Sequence, residues 1–199
     1  MNRSTLALTR PFAALAAAAL MLTGCIDRSP LAPQPDAASA AIGTPTLANP
    51  KAPTPIDLTG CEQLAAPAGK KLVSRLYAVG VQIYTWNGTA WAFDAPEADL
   101  FPNAHANGRV GTHYRGPTWE TNSGSKVVAA LIDRCPVGAN DIPWLLLGAS
   151  PAGTGPGLFD GVTHIQRVHT KGGVAPSAPG TFVGQVARVG YTADYLFYR

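Results

Sequence analysis

The stretch Gly111-Thr112-His113-Tyr114-Arg115-Gly116-Pro117-Thr118-Trp119-Glu120 concentrates a proton carrier, a cation, an indole and a carboxylate between two glycines. An imidazole and a carboxylate facing one substrate can share the proton transfers of general acid–base catalysis, while a guanidinium holds a polar or anionic group in place. His113 and Glu120 are therefore the candidate acid/base pair, and Arg115 the candidate orienting residue. His113 and Arg115 share a face if the segment is a strand, and Glu120 follows across the Gly116-Pro117 break. A competing reading puts Trp119 in the core and pairs Glu120 with a neighbouring cation such as Arg115 or Arg167.

Other chemistries find less support. A serine nucleophile elbow needs G-x-S-x-G, and Gly148-Ala149-Ser150-Pro151 fails at its last position. His113, His164 and His169, with Asp160 or Glu120, supply metal-ligand types but no recognised ligand spacing; His164 and His169, an odd number apart, point to opposite faces of a regular strand. No metal is expected. No G-x-G-x-x-G opens a helix after a strand, so no dinucleotide, and no other cofactor, is expected either.

A second candidate is aromatic. Asn87-Gly88 is a type I′ turn dipeptide, which predicts a tight hairpin pairing Trp86 with Thr89, Tyr84 with Trp91 and Gln82 with Phe93. Alternation then puts Gln82, Tyr84, Trp86, Trp91 and Phe93 on one face. Rings beside an amide make a platform on which sugars stack, so Gln82, Tyr84, Trp86 and Trp91 are candidate ligand-binding residues. The alternative is that this face is simply the hairpin's contribution to the core.

The elements that must position these residues are short strands. From residue 58 onward, glycines and prolines punctuate runs rich in Val, Ile, Thr, Tyr and Trp, and long helical periodicity is missing. The expected strands are 72–77, 81–86, 90–93, 109–115, 118–121, 126–133, 144–147, 162–170, 185–189 and 192–198. The fold class is all-β: an antiparallel sandwich or barrel of about 8–10 strands.

Several phrases in that region carry a resemblance: Gly80-Val81-Gln82-Ile83-Tyr84, Ala95-Pro96-Glu97-Ala98-Asp99-Leu100, Gly116-Pro117-Thr118-Trp119-Glu120, Ile142-Pro143-Trp144-Leu145-Leu146-Leu147, Ile165-Gln166-Arg167-Val168, Gly172-Gly173 and Tyr195-Leu196-Phe197-Tyr198. In this order they resemble the secreted bacterial and fungal family catalogued as domain of unknown function 3455. The resemblance implies no activity. Its pattern often carries cysteines where this chain has Trp86 and Gly180, which implies a bridge lost here.

The N-terminal part addresses the chain. Arg3 and Arg10 precede an apolar run, residues 12–22, that is too short to span a bilayer. It ends on Leu22-Thr23-Gly24-Cys25, which resembles the lipobox of bacterial lipoproteins, where the cysteine is lipidated and the chain cut before it. Residues 1–24 are thus expected to be a signal peptide, 25–57 a lipidated Pro/Ala-rich tether, and 58–199 a single domain. Ile26 rather than aspartate after Cys25 implies transfer to the outer membrane.

Losing Arg3 and Arg10 leaves 13 basic and 12 acidic residues, a balance that disfavours nucleic-acid binding. In an oxidising compartment the remaining Cys61 and Cys135 are expected to form a disulfide. The leading expectation is a lipid-anchored envelope protein whose domain binds an envelope glycan or small molecule, or organises the envelope. A small enzyme acting on a polysaccharide or other polar substrate, and a purely structural lipoprotein, are the alternatives. Oligomeric state is not encoded legibly.

Overall fold

The structure, a computed structural model, describes residues 56–153 and 157–199. The signal segment, Cys25 and nearly all of the tether lie outside the described residues.

Eight strands follow one another: β1 (Leu72–Trp86), β2 (Trp91–Phe101), β3 (Gly111–Tyr114), β4 (Thr118–Thr121), β5 (Lys126–Cys135), β6 (Trp144–Pro151), β7 (His164–Gly172) and β8 (Val186–Tyr198). Each pairs antiparallel with the next, and β8 returns to β1 with Leu76 opposite Tyr195 and Gln82 opposite Val189. The result is a closed up-and-down barrel, which settles the choice between sandwich and barrel. Closure satisfies the edge strands, and alternation sends every second side chain inward.

Two expected breaks are continuous strand. β1 runs through Gly80 and β8 through Gly190. At Gly80 the reason is a close approach: a Cβ there would lie 2.1 Å from the Glu97 carbonyl oxygen and 2.4 Å from the Ala98 Cα. Glycine here keeps the strand going by letting β2 press against it.

The hairpin register also differs from expectation. Trp86 pairs with Trp91 across a four-residue loop, because the Asn87 side-chain oxygen accepts from the Thr89 and Ala90 amides while the Asn87 amide donates to the Ala90 carbonyl. That side-chain capping lengthens the turn beyond the two-residue form. A bulge at Ile83/Tyr84 follows, so Tyr84 faces Phe93 and Gln82 faces Pro96.

One end of the barrel is plugged. The β6–β7 connection inserts Phe159 and Val162, both essentially fully buried, with the Phe159 ring 4.7 Å from Phe197. Outside, residues from Ile56 to Ala66 lie over β5–β8, burying Leu64 with Leu146 and packing Leu58 against Tyr198, Leu196 and Val168. The Gln166 amide nitrogen donates to the Leu64 carbonyl at 2.7 Å and its oxygen accepts from the Tyr198 hydroxyl. A disulfide joins Cys61 to Cys135 at the end of β5, with 5.7 Å between the Cα atoms. This cover explains why the C-terminal half of β8, from Ala193 to Tyr198, is buried on both faces.

Candidate functional site

The opposite mouth is open. β2 pairs with β3 only over Ala98–Leu100, so beyond Ala98 its edge toward β3 is free, and Pro96, which has no N–H to donate, sits in that free stretch. Between it and the Arg115–Pro117 turn a cavity of about 380 Å³ leads into the barrel, within the size range of small-molecule sites. Arg115 spans the rim, donating from Nη1 and Nη2 to the two carboxylate oxygens of Asp94 at 2.7 Å each. That fork holds the Asp94 carboxyl below the usual carboxylate range.

His113 lies deep in the wall, only 3% exposed, with its ring stacked on Trp119 at 4.1 Å and edge-on to Tyr195 at 5.0 Å. Its Nδ1 is 2.8 Å from the Thr118 carbonyl oxygen, which can only accept, so Nδ1 carries the proton and Nε2 presents a lone pair. Burial drives its pKa down to about 3 against the opposing Thr118 bond, and the Arg167 charge depresses it further. The imidazole is therefore neutral at physiological pH.

Two buried polar atoms of residues that line the cavity have no partner among the described residues: the Nε2 of Gln82, 2% exposed, and the Nε1 of Trp119, 1% exposed. The Gln82 amide lies near the Tyr191 hydroxyl, which is outside the lining, and favours its ionised form, but outside hydrogen-bond geometry. Both N–H groups are closed off from the cavity, so each burdens the folded state with the desolvation of an unpaired donor.

Arg167 completes the wall. On β7 it shares parity with inward Ile165, and its Nε and Nη2 donate to the Pro143 carbonyl at 3.2 and 2.8 Å. It makes no salt bridge among the described residues. Its charge reaches Tyr84, His113, Tyr191 and Tyr195, opposing the rise that burial imposes on the three phenols. Tyr191 and Tyr195 share a 3.3 Å hydrogen bond between their hydroxyls. Phe93, Pro96, Pro117, Leu145 and Leu147 supply apolar lining.

The residues expected from sequence divide between this cavity and the outside. His113, Arg115 and Gln82 line it; Glu120 does not. In the β3–β4 pairing His113 faces Trp119 and Thr112 faces Glu120, so Glu120 stands on the outer face. There it accepts from the Tyr114 hydroxyl and pairs with Lys126 at 3.0 Å, not with Arg115 or Arg167. His113 and Glu120 thus face opposite sides of the wall and share no substrate cleft.

The aromatic stripe also divides. Phe93, 56% exposed, stands at the cavity rim, and the Tyr84 hydroxyl is engaged with the Gly173 carbonyl at 2.6 Å. Trp86 and Trp91 contact each other edge-to-face at 5.5 Å outside the cavity lining. The Trp91 indole donates to the Ala178 carbonyl, and Gly180 lies against Trp86, where a Cβ would come 2.4 Å from its Cγ. These rings pin the 178–180 segment and offer no coplanar platform. Trp86 and Gly180, where the resemblance implied a lost bridge, are therefore direct neighbours.

Arg167, Tyr195, Leu145 and Leu147 were not singled out as site residues by sequence. Arg167 had a readable signal: strand alternation puts it on the inward side with Ile165, where a charge is rare.

Fold and cavity together define a closed eight-stranded β-barrel, plugged at one end and open at the other onto an interior site. The chain belongs to the family described as protein of unknown function (DUF3455), which it matches over residues 67–199. No curated protein and no solved structure matches it.

Proposed function

We propose that the protein is a binding module of the bacterial cell envelope, held to the membrane by lipid on Cys25 and taking a small ligand into the open mouth of its barrel. The observation that carries this reading is an open cavity of about 380 Å³ whose largely apolar lining holds Arg167, a guanidinium with no carboxylate partner among the described residues. A core selected only for packing would avoid such an inward charge, and a binding site accepts it because the ligand supplies the missing partner.

An enzyme reading needs a second proton-transferring group beside His113. The cavity wall offers Asp94, engaged by Arg115, and Tyr195, whose pKa burial raises. Neither is poised near neutrality, so binding has the better support. A structural role through an exposed sheet edge has the unpaired stretch of β2 and, beyond Ala129, the edge of β5 toward β4, which carries the exposed Leu131 and Ile132.

Thermal stabilisation of the full chain by envelope glycans and small metabolites tests the proposal. Compounds that stabilise the wild type are expected to lose their effect in Leu145→Trp, whose side chain fills the cavity. Equal stabilisation of the two proteins, or none by any compound, contradicts it.

A further inference from the structure

We infer that the ligand is a small organic monocarboxylate with a flat apolar body, its carboxylate received by Arg167. This rests on the binding reading above and concerns the same cavity.

The argument starts from charge. Two guanidinium groups line the cavity, and only one is neutralised: Arg115 is paired with Asp94, whereas Arg167 has a backbone carbonyl and no carboxylate among the described residues. His113 is neutral and adds nothing. One uncompensated positive charge in a half-enclosed site fits a monoanion. A guanidinium carries five N–H donors, and the Pro143 carbonyl engages two of the nitrogens, so donors remain for a carboxylate.

Donor and acceptor balance gives the same answer. Arg167 keeps N–H groups beyond those that the Pro143 carbonyl engages, while the carboxylate of the lining, Asp94, is already held by the Arg115 fork. A carboxylate only accepts, and satisfies the Arg167 donors without asking for acceptors in return. The rest of the lining, Phe93, Pro96, Leu145 and Leu147, asks for an apolar body, and the Trp119 indole adds a ring.

The experiment titrates the full chain with phenylacetate and with phenylacetamide, which has nearly the same shape without the charge, and follows binding by calorimetry. Phenylacetate is expected to bind about tenfold or more tightly than the amide, the range for a charge-assisted hydrogen bond. Arg167→Gln should erase that preference. Because Arg167 also braces the Pro143 carbonyl, Gln82→Glu serves as a second variant. It keeps the side-chain size, puts a like charge on the cavity lining, and should abolish phenylacetate binding while the urea midpoint confirms folding.

Equal binding of the two compounds to wild type overturns the carboxylate inference and leaves the binding reading standing. Failure of phenylacetate to bind at about 10 mM, while neutral metabolites stabilise the protein, does the same. Failure of every compound overturns both.

Discussion

Replacing Gln82 with methionine should make the ligand-free protein more stable while removing its ability to bind. Gln82 is 2% exposed and its Nε2 has no partner, so the folded state bears the desolvation of an N–H that water satisfies in the unfolded chain. An unsatisfied buried donor costs about 1–3 kcal/mol. Methionine has nearly the same volume and no polar atom, so it fills the same space against Tyr191 and Pro96 without creating a void. Allowing up to about 1 kcal/mol for the lost polar neighbourhood of the Tyr191 hydroxyl, the net gain is roughly 1–2 kcal/mol. For a barrel of this size that raises Tm by roughly 3–7 °C. Urea denaturation of the ligand-free proteins measures the gain, and the stabilising compounds of the metabolite screen measure the loss of binding. If Gln82→Met loses more than about 1 kcal/mol, its amide is a structural group with a partner, and the reasoning that makes its Nε2 an unsatisfied donor is refuted.

His113 should make the barrel acid-labile. Its folded pKa is depressed to about 3, while in the unfolded chain an imidazole titrates near 6.5; the unfolded state therefore binds the proton first as pH falls, and stability is lost from about pH 6.5 downward. Between pH 7 and pH 4 the wild type should lose about 3 kcal/mol more than His113→Gln, compared by urea midpoints at each pH; equal losses would remove His113 from the account. Reducing the Cys61–Cys135 bond, or replacing both cysteines with alanine, opens a link across 74 residues of sequence and should cost about 4 kcal/mol, read by denaturation with and without reductant. Cys25→Ala should move the protein from the membrane fraction to the soluble one, and continued membrane fractionation of the variant would refute the lipid anchor.

The all-β class was legible because strand composition and turn residues agree over the whole domain. Barrel closure was not, since it depends on pairing the first strand with the last. The expected breaks at Gly80 and Gly190 came from reading glycine as punctuation; at Gly80 it instead clears the approach of β2. The hairpin register shifted because the Asn87 side chain caps two amides, an interaction that the dipeptide signal alone does not reveal.

In the site, His113, Arg115 and Gln82 were picked out by residue type, but type does not fix the side of a wall. A turn centred on Gly116 pairs His113 with Trp119, which puts Trp119 inside and turns the next residue, Glu120, outward. Reading pairs across the turn, rather than spacing along the chain, separates the two. Arg167 and Tyr195 reach the cavity from β7 and β8, more than 40 residues beyond His113, so only the closed barrel brings them together.

The central claim is that the open barrel mouth receives a ligand. The most direct measurement is the nitrogen–proton correlation spectrum of the full chain, following the side-chain amide of Gln82 and the indole of Trp119, two residues of the cavity lining, while a stabilising compound is added. Both resonances are expected to shift and saturate together at the concentration that stabilises the fold. A compound that stabilises the protein fully while both signals stay where they were would place its binding elsewhere and contradict the account.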